Sequence, residues 1–244
     1  MDPRYAQHYD RLYRQHWWWR AREDFLLTVL RARRPADGWN EILDVGCGDG
    51  LFFDRLQEFG RVEGVEPDGS LVDPQAAHAA QITMTPFDAR FQPGKRYGLI
   101  LLLDVLEHLP DPAGALGHAL QLLEPQGLLL VTVPAFPLLW TRHDVMNQHQ
   151  RRYTRTTLKQ VALVAGVQVE ELRYFFHWTF PAKLAQRLTE MVLHRAPRPA
   201  RLPPVWLNRS LYWLSRREQL WVGGLGLPFG TSLLMVGRRK AETA

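Results

Sequence analysis

The sequence predicts an α/β protein built on a doubly wound, mostly parallel sheet. Short apolar segments alternate with helical segments over residues 41–133, which is the pattern of repeated β-α-β units. Residues 97–104 are almost continuously apolar, as expected for a strand buried on both faces of a parallel sheet. The chain has 244 residues, of which 46% are hydrophobic and 23% charged. This size and composition suit one α/β domain with an added lobe and argue against global disorder.

Cysteine content and net charge indicate the cellular compartment and the kinds of partner to expect. Cys47 is the single cysteine, so an internal disulfide is excluded and a reducing compartment is expected. The net charge of +5 favours acidic partners such as phosphates, nucleic acid or an anionic membrane surface, although a solvated, arginine-rich surface gives the same balance. Residues 1–14 lack the apolar core of a secretory signal, and no apolar run of about 18 residues predicts a transmembrane helix. We therefore expect a cytoplasmic protein, with peripheral membrane contact as one option.

An N-terminal helical cap is predicted over residues 1–34. Apolar residues including Leu26 and Leu30 recur there with helical spacing. Residues 17–19 are three adjacent tryptophans, and neighbours on a helix diverge by about 100°, so all three cannot enter one core. At least one should meet a ligand, a lid or a membrane surface, unless the three spread over the main domain as packing.

A glycine loop follows the first predicted strand, residues 41–45. Gly46, Gly48 and Gly50 alternate there before a helix predicted over residues 51–59. The order of strand, glycine turn and helix brings free backbone N–H groups close to a ligand. The spacing Asp-x-Gly-x-Gly-x-Gly differs from the dinucleotide fingerprint, and no Lys-Ser/Thr follows it as in a P-loop.

The loop resembles motif I of the class I S-adenosylmethionine (SAM)-dependent methyltransferases, and further segments resemble that family in order over residues 41–134. The resemblance implies a Rossmann-like, seven-stranded sheet, SAM as cofactor and S-adenosylhomocysteine as product. Glu66 ends the second predicted strand, where an acid in nucleotide-binding α/β folds accepts hydrogen bonds from ribose hydroxyls. Cys47, inside the loop, is expected to be a tightly packed side chain rather than a catalytic thiol.

Two later segments correspond to the adenine side of the family's pocket. Asp88 and Ala89 follow a short predicted strand, residues 82–85, where the family places an acid that reaches the adenine amino group. The run Asp-Val-Leu-Glu-His-Leu-Pro that starts at Asp104 matches the family's fourth-strand motif, in which the residue after the acid lines the adenine face. The cofactor-binding residues implied by the resemblance are Asp44, Gly46, Cys47, Gly48, Gly50, Glu66, Pro67, Asp88, Ala89, Asp104 and Val105.

A loop over residues 134–153 concentrates titratable and cationic side chains. Because it follows a parallel strand, it should lie at the carboxyl edge of the sheet, where α/β proteins bind ligands. Its pattern resembles relatives of the ubiquinone-pathway O-methyltransferases and methyltransferases of cell-surface polysaccharide synthesis; a surface loop held by internal salt bridges is the alternative. With two residues of the cap, the candidate acceptor-site residues are Trp18, Arg22, Trp140, Asp144, Arg151, Arg152 and Tyr153.

Methyl transfer from SAM places modest demands on the protein, because the sulfonium is already a good leaving group and positioning supplies much of the acceleration. A phenol or carboxylate acceptor must also lose a proton, and histidine, with an ordinary pKa of about 6.5, suits that role. His143 and His149 are the candidate general bases, with His108 behind them. Arg151 and Arg152 could hold an acidic acceptor.

A metal site is the minority hypothesis. Asp104, Glu107 and His108, with His149 brought in by folding, could bind a hard cation or zinc, and some relatives use a divalent ion through a similar run. Glu107 and His108 are adjacent on a predicted helix, so their side chains would not automatically converge. We therefore expect no metal.

The remaining elements complete the predicted order. They are a weak helix over 71–80, a helix over 113–123, a turn over 124–127, a strand over 128–133, a helix over 156–165, a strand over 167–174, and a last strand over 232–238 that pairs antiparallel with its predecessor. This gives a SAM-binding core over 35–174, a helical insert or lid over 175–231, and the last core strand with its tail over 232–244. A helix over 205–222 with aromatic and arginine faces suits a membrane interface or a partner-binding lid, or packing on its own domain.

The leading functional prediction is methyl transfer from SAM to a small-molecule or lipid-linked acceptor at oxygen. Nucleic-acid methylation is an alternative that the basic charge permits, but the sequence has no Asn-Pro-Pro-Tyr-like motif and no recognisable RNA-binding module, so nucleic acid is not the expected partner. A non-catalytic SAM-binding scaffold for a membrane or a partner is the third hypothesis. The sequence leaves the oligomeric state open.

Overall fold

The structure is a computed structural model that describes residues 10–192 and 201–240. A seven-stranded sheet forms its centre, as predicted. The strands are β1 (Glu41–Val45), β2 (Arg61–Val65), β3 (Ile82–Thr83), β4 (Tyr97–Leu103), β5 (Leu123–Pro134), β6 (Val167–Phe175) and β7 (Ser232–Arg239). Their spatial order is β3-β2-β1-β4-β5-β7-β6.

Helices cover both faces of the sheet. Residues 10–15 are helical, and the helices that follow are α1 (Trp17–Arg31), α2 (Phe53–Leu56), α3 (Pro112–Leu122), α4 (Arg142–Met146), α5 (Arg155–Val164), α6 (Thr179–Val192) and α7 (Val205–Trp221). Among the described residues, none of these helices has the length and apolar character needed to cross a lipid bilayer.

Strand pairing explains where a ligand can bind. β1 pairs in parallel with β2 on one side and with β4 on the other, so the chain winds outward in both directions from this point. Ligands of open α/β sheets bind at such a switch point, outside the carboxyl ends of the strands. β7 pairs antiparallel with both β5 and β6, as predicted for the last strand.

Two apolar cores enclose the sheet. Leu43 and Ile100 face a cluster that includes Leu116 of α3, while Ile42 and Leu99 face a cluster that includes Leu26 of α1. β4 is therefore buried on both faces, as its apolar sequence predicted. Residues of α1 therefore belong to a core that they share with the sheet. The boundaries at residues 34, 174 and 231 stay predictions.

Several predicted elements differ in the structure. Residues 71–80 do not form an α-helix: 3₁₀ turns occupy Gly69–Leu71 and Ala79–Gln81. Pro74 lacks a backbone donor, and the carboxylates of Asp68 and Asp73 each accept an N–H two residues on, which stabilises turns in place of a helix.

Three further differences concern a predicted turn and the lengths of two elements. The predicted turn over 124–127 is a bulge inside β5, because Leu123 pairs with Tyr97 and the regular register resumes where Leu128 pairs with Leu99. The helix predicted over 51–59 shortens to Phe53–Leu56, and the strand predicted over 82–85 shortens to Ile82–Thr83.

Candidate active site

A cavity of about 1680 Å³ opens at the carboxyl edge of the sheet, between the cap, the glycine loop and the insert. Pockets for a single small ligand usually measure roughly 300–1,000 Å³, so this cavity has room for a cofactor and an acceptor together. Of the predicted site residues, those that line it are Trp18, Arg22, Asp44, Gly46, Cys47, Gly48, Gly50, Glu66, Pro67, Asp104, Val105, His108, His143, His149 and Arg152.

The glycine loop has the backbone that its sequence predicts. Gly46, Gly48 and Gly50 all have positive φ, at 69°, 55° and 69°, a region that other residues rarely enter. A Cβ on Gly46 would lie 2.8 Å from Cγ2 of Val105, so only glycine permits this close approach to the end of β4. The three glycines therefore permit a backbone conformation in which the loop lines the cavity.

Cys47 packs as predicted. Its Sγ lies so close to β2 that a Cβ on Gly64 would come within 2.3 Å of it. Burial, with the charges of Asp44 and Glu66 next in effect, raises the pKa of the thiol far above its ordinary value. A thiolate is thereby disfavoured, which argues against nucleophilic catalysis by this residue.

Glu66 stands at the carboxyl end of β2 and is buried. Its two oxygens accept the N–H of Gly48 and the N–H of Asp68, each at 3.0 Å. Burial raises the pKa of Glu66, and these two hydrogen bonds act in the opposite direction. The backbone thus fixes a carboxylate at the glycine loop, with acceptor capacity left for a ligand hydroxyl.

Asp44 lies beside Glu66 at the cofactor side of the cavity and is also buried. Burial raises the pKa of Asp44 to about 7; the Arg22 charge lowers it and the Glu66 charge raises it. A cationic ligand at this point would favour the ionised carboxylate. The cavity floor is therefore suited to a positively charged cofactor.

Arg22 ties the cap to the end of β4. Its Nη2 lies 2.7 Å from Oδ2 of Asp104 and donates to Oγ1 of Thr132 at 3.1 Å. Asp104 has a positive φ of 59°, a strained conformation for a residue other than glycine. Arg22 lines the cavity, and its acceptor contact stays a prediction; its guanidinium is held in an ion pair with Asp104, a predicted cofactor residue.

Asp88 and Ala89 are not among the residues that line the cavity. The carboxylate of Asp88 is exposed and paired with Arg90, which lowers the pKa of Asp88 to about 2. Phe87, one residue earlier, lines the cavity in their place. Contact between Asp88 and an adenine amino group stays a prediction that this geometry does not favour.

A buried network organises the loop after β5. Asp144 is fully buried, and its carboxylate accepts two hydrogen bonds from Arg152, at 2.8 and 3.0 Å, and two from Thr141. Burial alone would raise the pKa of Asp144, but its hydrogen bonds with His149 and Arg152 outweigh that effect and hold the pKa far below the ordinary value. Asp144 thus positions its neighbours and does not reach an acceptor, which corrects its predicted role.

Three other predicted acceptor residues also lie outside the cavity lining. Tyr153 is buried and donates its hydroxyl to the carbonyl of Leu106 at 3.0 Å, so it supports the turn after β4. Arg151 donates to the carbonyl of Pro110 at 3.3 Å, and Trp140 is half-buried. Direct acceptor contact is accordingly left to Trp18, Arg22 and Arg152 among the predicted residues.

His149 has the geometry of an oriented base. Its Nδ1 lies 2.9 Å from Oδ1 of Asp144, which favours the proton on Nδ1 and leaves Nε2 as acceptor. The ring of His108 stands edge-on to it at 4.8 Å. Burial lowers the pKa of His108, and the charge of His149 lowers it further, so the two rings do not readily hold protons together.

His143 is a weaker base candidate than predicted. Burial lowers its pKa to about 4, with the Lys183 charge next in effect. Its Nε2 lies 2.9 Å from the side-chain amide of Asn147. A base with so low a pKa takes up a proton poorly, which leaves His149 as the better candidate.

Glu107, His108 and His149 converge after all, because residues 104–110 form a turn and not a helix. Their ligand atoms lie within 4.8 Å of one another, and both carboxylate oxygens of Glu107 are buried without a hydrogen-bond partner. Two imidazoles and a carboxylate are a donor set that zinc and other divalent ions accept. Burial and then the Asp104 charge raise the pKa of Glu107 well above its ordinary value, so without a cation the protonated acid is favoured.

The start of the insert, including α6, covers the acceptor side of the cavity. Trp178, Thr179 and Lys183 line it, although none was among the predicted site residues. Trp178 donates its Nε1–H to Ser215 of α7 at 3.1 Å, and its ring lies 5.4 Å from that of Trp17. The amphipathic spacing of 179–192 was the signal available, but spacing alone does not show which face meets a ligand.

Comparisons with known proteins agree with this geometry. A family model described as a methyltransferase domain matches residues 5–172. A ubiquinone biosynthesis O-methyltransferase of Paramagnetospirillum magneticum is 35% identical over 104 residues, which are 40% of this chain and 41% of that protein. The chain thus matches about two-fifths of the length of this curated relative.

Solved structures share the fold at low identity. The methyltransferase in complex with the Haloferax volcanii Trm112 methyltransferase activator is 17% identical, with 98% of this chain and 96% of that chain covered and a TM-score of 0.60. A SAM-dependent methyltransferase from Archaeoglobus fulgidus is 15% identical over 89% of this chain and 94% of that chain, with a TM-score of 0.54.

Proposed function

This chain belongs to the methyltransferase-domain family, and we propose that it transfers a methyl group from SAM to a small-molecule or lipid-linked acceptor at an oxygen atom. SAM is the cofactor of this family. The observation that carries the proposal is one cavity with the glycine loop and Glu66 on one side and the Asp144–His149 pair on the other. A base oriented toward the acceptor is needed for a hydroxyl, which must lose its proton as it is methylated.

An aromatic lining favours a small or lipid-linked acceptor over a nucleic acid. Trp17, Trp18 and Trp19 of α1 line the cavity, and Trp178 faces them from the insert. We propose that the cap (residues 1–34) and the insert (residues 175–231) act as a lid over the core (residues 35–174). Residues 1–9 and 193–200 of these segments lie outside the described residues.

The first test is calorimetric titration of SAM and S-adenosylhomocysteine into wild type and Glu66→Ala. Wild type should bind both in the micromolar range, typical of enzyme ligands. Loss of a carboxylate that accepts ribose hydrogen bonds should weaken binding by about 10-fold to 100-fold. Glu58→Ala is the matched control, because Glu58 forms an exposed pair with Arg31 and should bind like wild type. Failure of wild type to bind either ligand would refute the proposed function.

We propose further that α7 seats the protein on an anionic lipid surface. Trp206, Trp213 and Trp221 are 71%, 54% and 80% exposed and occupy one side of the helix, since 7 and 15 residues correspond to about two and four turns. Arg209 and Arg217 are exposed on the same helix, whose only acidic residue, Glu218, is buried. Tryptophan and arginine without acidic neighbours complement the charge and polarity of an anionic membrane interface.

Binding to vesicles tests this surface. Wild type should sediment with vesicles of phosphatidylglycerol and not with vesicles of phosphatidylcholine alone. A variant with Trp206, Trp213 and Trp221 replaced by serine should lose most of that binding. Leu163→Ser with Val164→Ser is the matched control, since these residues of α5 are 76% and 79% exposed on another part of the surface. Equal binding by wild type and the tryptophan variant would contradict the proposal.

A further inference from the structure

Among the lysine and arginine side chains that line the cavity, all but one pair with a carboxylate. Three arginines line the cavity, and each is paired with a carboxylate: Arg14 with Asp10 at 2.7 Å, Arg22 with Asp104 at 2.7 Å, and Arg152 with Asp144 at 2.8 Å. Lys183 also lines the cavity. It forms no ion pair with any carboxylate in residues 10–192 and 201–240.

The position of Lys183 is set by α6. Thr179, Lys183 and Gln186 recur at spacings of four and three residues and all line the cavity, so they form one face of the helix. His143 and Asn147 line the same cavity from the segment that includes α4, and the Lys183 charge is felt at His143. The ammonium group therefore faces the acceptor side of the cavity and not bulk solvent.

Nearby acids do not neutralise Lys183. The carboxylate of Asp144 is already held by Arg152 and His149. Glu190, on the same helix, accepts the N–H of Arg142 at 2.9 Å and the amide of Gln186 at 2.8 Å. Burial lowers the pKa of Lys183, and the Arg152 charge lowers it further, while Asp144 and Glu190 act in the opposite direction. An added anion would relieve this imbalance.

We propose that Lys183 binds an anionic group of the methyl acceptor, a carboxylate or a phosphate, and so selects acidic acceptors. This inference rests on the proposed function, because it names the substrate class for the same site. A half-buried ammonium that forms no ion pair within residues 10–192 and 201–240 gains charge-assisted hydrogen bonds from an oxyanion. Arg152, one of the two arginines predicted for this role, already donates from each of its three nitrogens, to Asp144 and to the carbonyl of Ala135 at 2.9 Å.

The test uses two catechol probes that differ in one ring substituent, an anionic carboxylate or an uncharged methyl group. Protein saturated with S-adenosylhomocysteine is titrated calorimetrically with 3,4-dihydroxybenzoate and with 4-methylcatechol. Wild type should bind the carboxylate probe at least about tenfold more tightly, as one charge-assisted hydrogen bond allows. Lys183→Gln should lose that preference and leave 4-methylcatechol binding unchanged, whereas Lys183→Arg should retain most of it.

Controls separate this inference from the proposed function. Lys159→Gln removes the same charge from an exposed position on α5 and should match wild type. Lys183→Gln should still bind S-adenosylhomocysteine, since α6 contributes no fully buried residue and the fold should persist. Weak or equal binding of the two probes by wild type, or an unchanged preference in Lys183→Gln, would overturn the inference. Failure of wild type to bind S-adenosylhomocysteine would instead refute the proposed function.

Discussion

Replacement of Arg22 by alanine is expected to lower the melting temperature by about 10 °C. The side chain of Arg22 is 11% exposed and that of Asp104 is 30% exposed, and the two charged groups lie 2.7 Å apart. Removal of one partner of a fully buried ion pair costs about 3–5 kcal/mol, so the loss from this partly buried pair should lie at the low end, at about 3 kcal/mol. For a chain of this size, each kcal/mol shifts the melting temperature by roughly 2–4 °C. Thermal unfolding followed by circular dichroism measures the change.

The loss of stability caused by Arg22→Ala should depend on pH. Arg22 lowers the pKa of Asp44 and of Glu107, so its removal raises both further above their unfolded values. When the pKa of a carboxyl group is higher in the folded state than in the unfolded state, the free energy of unfolding is highest while the group is protonated and falls as pH rises. With the pKa of Asp44 already about 7, Arg22→Ala should be less stable at pH 8 than at pH 5, relative to wild type at each pH.

A matched variant exists on the same helix. Arg31 pairs with Glu58 at 2.7 and 2.8 Å, but its side chain is 54% exposed, so Arg31→Ala should cost less than about 1 kcal/mol. Arg22→Ala should also weaken SAM binding, because Arg22 and Asp104 both line the cavity. Equal melting temperatures for the two variants would contradict the role assigned to Arg22.

The cofactor side of the cavity could be predicted because its signals are local. Gly46 and Gly48 adopt positive φ directly after β1, and Glu66 ends the neighbouring strand, so a short stretch of chain and the parallel pairing of β1 with β2 place them together. The pairing of Arg22 with Asp104 could not be predicted in this way. It depends on how α1 docks against the sheet, which is decided by packing between distant segments.

The insert shows a different limit of sequence analysis. The sequence left α7 between packing on its own domain and a membrane or partner interface. In the structure Tyr212 packs against the core cluster that includes Leu26 of α1, and polar residues of α7 also bind neighbouring segments. Asn208 accepts the N–H of Trp17 at 2.9 Å, and Glu218 accepts the N–H groups of His177 and Trp178 at 2.8 and 3.1 Å. Backbone N–H groups at the start of a segment need hydrogen-bond acceptors when another element covers them. The contacts of α7 with its own domain therefore depend on polar as well as apolar residues.

Replacement of His149 by alanine is expected to lower kcat by about 10²-fold to 10⁴-fold, the usual contribution of a general base. Asp144 holds Nδ1 of the ring at 2.9 Å, and Nε2 is left to accept the acceptor proton. His143→Ala should lower kcat by less than about tenfold, because a pKa of about 4 makes that ring a poor base. The assay is transfer of radiolabelled methyl from SAM to 3,4-dihydroxybenzoate. Full activity in both variants would show that neither histidine is the base.

A divalent cation is the competing role for His149, since a nitrogen that ligates a metal cannot accept a proton. The base role predicts activity that survives EDTA and a kcat little changed by Glu107→Gln, because burial raises the pKa of Glu107 and an uncharged amide of the same shape suits that buried position. A metal held by Glu107, His108 and His149 predicts the reverse: EDTA abolishes turnover, Mn²⁺ or Zn²⁺ restores it, and Glu107→Gln is as damaging as His149→Ala. We expect the first result, because the Asp144 hydrogen bond orients the His149 ring so that Nε2 can accept a proton.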